Sequence, residues 1–108
     1  MKLGVLIVFG LLSAIPAAHA QEVSLQLSIS NHRFQPAEIR APAGRPINLK
    51  VINADATPEE FESKDLRVER VIPGKGQTIF KLRPLQPGRY RFFGDFNEAT
   101  ANRFLVVE

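Results

Sequence analysis

The chemistry this sequence could perform is concentrated in its acids. Asp55, Glu59, Glu60, Glu62, Asp65 and Glu69 stand in one short stretch of a chain whose fourteen Lys and Arg outnumber its eleven Asp and Glu. Crowded carboxylates repel one another, and a cation held among them relieves the repulsion. Oxygen-rich ligand sets suit iron, manganese, magnesium or calcium better than soft metals. The competing reading is a solvated acidic loop whose members pair with Lys64, Arg67 and Arg70. Which acids meet depends on the backbone. In an extended segment Glu60 and Glu62 share a face and Glu59 points away. In a helix Glu62, Asp65 and Glu69 align at i, i+3 and i+7.

Other chemistries have few residues to work with. Lys2, the apolar run Leu3 to Ile15 and the small-residue step Ala18-His19-Ala20 read as a secretory signal peptide over residues 1–20, cleaved after Ala20. The run is short for a membrane span, so no stable membrane anchor is expected after cleavage, and the expected location is the periplasm. Cleavage removes His19 and Met1, leaving His32 as the single histidine and no methionine; there is no cysteine anywhere. No Ser/His/Asp constellation, thiol nucleophile or phosphate-cradling loop is present. Paired carboxylates can do glycosidase-type acid–base work, but a domain of this size offers little cleft. Participation in metal oxidation is the enzymatic role that stays open. No basic stripe interleaved with aromatics suggests nucleic acid.

The elements that must position these acids are strands. Val23, Leu25, Leu27 and Ile29 alternate with polar residues; Ile47, Leu49 and Val51 form the inward face of another strand, and Thr78, Phe80 and Leu82 alternate with Ile79, Lys81 and Arg83. Shorter strands are expected at 38–41, 68–72, 90–93 and 104–107, separated by turns at Ala43-Gly44, Pro73-Gly74-Lys75-Gly76 and Pro84 to Gly88. Thr57-Pro58-Glu59-Glu60 carries the marks of a helix start, with Thr as N-cap, Pro at the first position and a capping-box Glu. A short helical segment near 57–66 is therefore expected. The whole predicts one all-β domain over 21–108, an antiparallel Greek-key two-sheet sandwich.

Particular residues narrow the choice of sandwich. Phe34-Gln35-Pro36-Ala37-Glu38-Ile39, Ala43-Gly44, the strand from Ile47 to Asn53, Leu85-Gln86-Pro87-Gly88-Arg89-Tyr90 and Leu105-Val106-Val107, in that order, resemble a cupredoxin over nearly all of residues 21–108. A blue-copper centre takes two His, a Cys thiolate and usually a Met. Without a cysteine, type 1 copper is chemically excluded. Pro58-Glu59-Glu60-Phe61-Glu62-Ser63-Lys64-Asp65-Leu66, with Glu69 following, and Tyr90-Arg91-Phe92-Phe93-Gly94-Asp95-Phe96 resemble more narrowly the EfeO-type periplasmic cupredoxin-like proteins associated with bacterial iron uptake.

This resemblance implies carboxylates where blue-copper proteins carry nitrogen and sulfur. It places Glu60 near the first histidine position and Asp95 near the cysteine position, with Glu62 and Glu69 supporting. His32, in the turn before Phe34, and Asn97, where the group commonly has His, would complete the shell. The metal implied is iron or copper. The partners implied are a membrane iron permease and its periplasmic components. The role is that of a metal-binding accessory in ferrous-iron uptake or oxidation. The alternative is a metal-free protein-interaction module on the same scaffold.

Overall fold

The computed structural model describes residues 21–108. The expected signal peptide, residues 1–20, lies outside the described residues. Nine strands follow one another: β1 Val23–Ser30, β2 Arg33–Gln35, β3 Glu38–Ala41, β4 Ile47–Asn53, β5 Glu59–Ser63, β6 Val68–Ile72, β7 Gln77–Leu82, β8 Gly88–Gly94 and β9 Asn102–Val107. They form two sheets, one of order β2-β1-β4-β7 and one of order β3-β9-β8-β5-β6. The alternation read from sequence is the alternation of burial. Leu27, Ile47, Leu49, Val51 and Phe80 are buried between the sheets, and Leu25 and Tyr90 pack against them.

Phe34, Phe61, Phe80 and Phe92 make the centre of this core. Phe61 stacks on Phe92 at 5.3 Å between ring centroids, and Phe34 meets Phe92 edge-on at 5.0 Å. Such pairs add to the stabilisation that burial of the rings already supplies.

Two expectations are corrected. The sheets are mixed rather than antiparallel: β1 pairs with β4 in parallel, and β3 with β9 in parallel. The reason lies in the path. After β2 the chain crosses to the other sheet as β3 and returns as β4 beside β1, so β1 and β4 run the same way. The expected helix near 57–66 is also absent; Glu59–Ser63 is a strand. Glu59, Phe61 and Ser63 are buried in alternation, and Phe61 belongs to the aromatic centre. Burying that ring and pairing with β6 and β8 outweighs a local helix-start signal worth about 1 kcal/mol.

Asn53, fully buried, ends β4 and organises the loop after it. Its side-chain amide donates to the carbonyls of Thr57 and Ile72, and its Oδ1 accepts from the N–H of Asp55. That bond network sets where β5 begins. A 3-10 turn, Asp95–Asn97, follows β8.

Candidate metal centre

The acidic stretch separates into four environments. Asp55 Oδ1 accepts from the N–H of Asn31 at 2.7 Å, and Oδ2 from that of His32 at 2.9 Å. Those two residues lie at φ 55° and 58°, the left-handed pair that a two-residue turn between β1 and β2 requires. The His32 N–H is the main reason the Asp55 carboxyl stays below its ordinary value. Asp65 accepts from the N–H of Arg91 at 2.8 Å. Glu59 points into the sandwich and is 1% exposed. Glu60, Glu62 and Glu69 remain on the outer face of the five-stranded sheet.

That face is where the candidate site lies. Strand alternation puts Glu60 and Glu62 on it together. Glu62 stands opposite Glu69 of β6 and beside Phe93 of β8. The 3-10 turn at the end of β8 brings Asp95 to the same place. Glu60, Glu62 and Asp95 each offer a carboxylate oxygen within 4.8 Å of the others. Glu69 adjoins Glu60. Lost hydration, then the neighbouring carboxylates of Glu69 and Asp95, push Glu60 up to about 7.

Lys64, Arg67 and Arg70, the bases expected to neutralise the cluster, form no ion pair with it among the described residues. Among the described residues the ion pairs join Arg40 to Glu38 and Glu108, and Arg91 to Glu98. Arg70 donates to the Thr78 hydroxyl and lies over the Phe80 ring.

Two of the expected ligands have partners outside the three carboxylates. His32 is exposed; its Nε2 is 3.4 Å from the Thr57 hydroxyl, and its carbonyl accepts from Thr100. Asn97 donates its side-chain amide to Glu59. Sequence reasoning did not assign the roles of Asp55, Glu59 and Asp65. The period-two pattern of Glu59, Phe61 and Ser63 was the signal for an inward Glu59, and the capping motif obscured it.

The pattern of the cupredoxin-like domain matches residues 3–107. The chain belongs to the cupredoxin-like family. An uncharacterized protein of Rickettsia prowazekii (strain Madrid E) is 39% identical to this cupredoxin-like chain over 85 residues, which is 79% of this chain and 68% of the relative. Among solved structures, one similar domain is the metal-binding domain of the Cu(I)-exporting P-type ATPase CopA of Streptococcus pneumoniae D39, with Cu(I). Its TM-score is 0.68 and its identity 14%, over 82% of this chain and 97% of that one. Auracyanin A of Chloroflexus aurantiacus, a blue copper protein, superposes with TM-score 0.69 at 11% identity, over 82% of this chain and all of that one. At these identities the likeness is one of fold.

The fold houses copper in these two structural neighbours, but this cupredoxin-like chain does not fit a type 1 centre. The thiolate gives that centre its electronic character, and the chain has no cysteine. What it offers is an all-oxygen set on a sheet face. Such a set binds hard or borderline cations and lacks the soft ligand that tunes blue copper for electron transfer.

Proposed function

We propose that this cupredoxin-like protein binds an iron or copper ion through Glu60, Glu62 and Asp95, with Glu69 adjoining. In this reading it is exported to the periplasm and serves as a metal-binding accessory to a ferrous-iron uptake system of the EfeO type, alongside a membrane iron permease. The observation that carries the reading is the convergence of three carboxylates, from β5 and from the turn after β8, with no cation of the protein paired to them among the described residues. Like charges so placed raise the energy of the metal-free fold, and a bound cation reverses that cost.

Titration of the purified protein with Fe(II), Cu(II), Mn(II) and Mg(II), followed by thermal denaturation, tests it. A cation at a hundredfold excess over its Kd stabilises the fold by about 2.7 kcal/mol. The melting temperature is expected to rise with Fe(II) or Cu(II) and less with Mg(II). Glu60→Gln combined with Asp95→Asn is expected to abolish the rise. The Cu(II) form is expected to lack an intense thiolate-to-copper band. A full metal-dependent shift in the double variant sinks the site.

A second reading, a metal-free interaction module, draws on Phe96 and Val71, which are 52% and 49% exposed. Val71 pairs with Glu60 across β5 and β6 and so borders the acidic face, and Phe96 follows Asp95 in the chain. An absence of any metal response would favour it.

A further inference from the structure

The proposed centre leaves out Asp55, Glu59 and Asp65 of the acidic stretch, and Glu59 is the most deeply buried of them. It lies on the opposite face of β5 from Glu60 and Glu62. Its two oxygens have separate partners, both in the turn that carries Asp95. The N–H of Phe96 donates to Oε1 at 2.9 Å, and the side-chain amide of Asn97 donates to Oε2. An ionised carboxylate is an acceptor only, and both of its partners here are donors. A buried charge is tolerated when it is hydrogen-bonded in this way, and charge-assisted bonds are the strong ones. Gly94 makes the room. A Cβ on Gly94 would stand 2.5 Å from Glu59 Oε1.

We propose that Glu59 is a positioning residue for the cation site: it fastens the Asp95–Asn97 turn to β5 and so holds the Asp95 carboxylate at the separation from Glu60 and Glu62 that one ion can span. This inference rests on the metal-binding reading above. Other bonds close the loop at its base, from Gly94 N–H to the Ala101 carbonyl and from Ala101 N–H to the Asn97 carbonyl. The acceptor for the Phe96 N–H and for the Asn97 side-chain amide is Glu59. Strand β5 thus presents two ligands on one face and secures the third from the other. Because alternate residues of a strand face opposite ways, Glu59 can do this without entering the site.

The test uses Glu59→Gln, which preserves size but turns one acceptor into a donor facing the Asn97 amide, and Gly94→Ala, which displaces an unaltered Glu59. Two quantities are read on the purified protein: Cu(II) affinity by calorimetry, and amide exchange of Phe96 by NMR without metal. Each variant is expected to weaken Cu(II) binding about tenfold or more and to speed Phe96 exchange. In an Asp95→Asn background, Glu59→Gln is expected to change the affinity less than twofold, because the ligand it positions is gone. A general loss of stability would lower the affinity equally in both backgrounds, and that result overturns the proposal. So does wild-type affinity in both variants. If the wild-type protein binds no metal while Glu59→Gln still speeds Phe96 exchange, the metal reading fails and the fastening stands. Unchanged exchange overturns the fastening itself.

Discussion

Glu62 and Glu69 stand directly opposite each other on the antiparallel strands β5 and β6. Like charges at facing positions of a sheet weaken the pairing by about 0.2–1 kcal/mol. Glu69→Gln removes one of them. The metal-free unfolding free energy is expected to rise by about 0.2–1 kcal/mol, seen as a higher melting temperature, and the further rise on adding Cu(II) to shrink. Thermal denaturation with and without the metal reads both. A variant that is less stable than wild type without metal would show that the facing carboxylates are held by something other than a cation.

Glu60 supplies a pH dependence with a definite sign. Its carboxyl is pushed up to about 7 in the folded protein, from an ordinary value of 4.5, by lost hydration and by Glu69 and Asp95. The folded state therefore holds this proton more tightly than the unfolded chain. The contribution to stability is fully present below about pH 4.5 and is lost as the pH rises through about 7. Denaturation midpoints are expected to fall across that window in the metal-free protein, and Glu60→Gln is expected to flatten the fall. The proton and the cation compete for the same oxygens, so metal affinity is expected to climb over the same interval.

Asp55 has the opposite sign and a different job. The N–H of His32, and then that of Asn31, hold its carboxyl below the ordinary value, so its contribution is present above about pH 4 and is lost as the pH falls. Asp55→Ala removes both acceptors from the β1–β2 turn. The expected cost is about 1–3 kcal/mol of unfolding free energy, measured by urea denaturation. Cu(II) affinity is expected to stay at the wild-type value, because Asp55 serves the turn. A tenfold loss would place it in the metal site.

The strands and their inward faces were legible because period-two alternation is a direct record of burial: Leu27, Leu49, Val51 and Phe80 are buried where the alternation puts them. Pairing direction was not legible. Nothing local to Val23–Ser30 or Ile47–Asn53 distinguishes a parallel from an antiparallel neighbour; the crossing of the chain between sheets decides it. The segment after Thr57 was misread because a capping motif acts over four residues, whereas the demand for Phe61 in the core comes from Phe34, Phe80 and Phe92, far along the chain. Glu60 with Glu62 followed from the extended alternative. The division of labour between adjacent Glu59 and Glu60 depends on which parity of the strand faces inward, and a slip of one residue reverses it.

The strand order also has a consequence for how the molecule comes into being. β9, the last of the described strands, lies between β3 and β8, and β3 has no other neighbour in its sheet. During synthesis β3 emerges early and waits for a partner more than sixty residues away, as the register of Ile39 with Leu105 records. The five-stranded layer is thus completed only once β9 has emerged, and contacts of such long sequence separation form slowly. Until then β3 lacks its one strand neighbour, so the nascent chain is kept open to whatever machinery handles it before β9 docks and closes the sandwich.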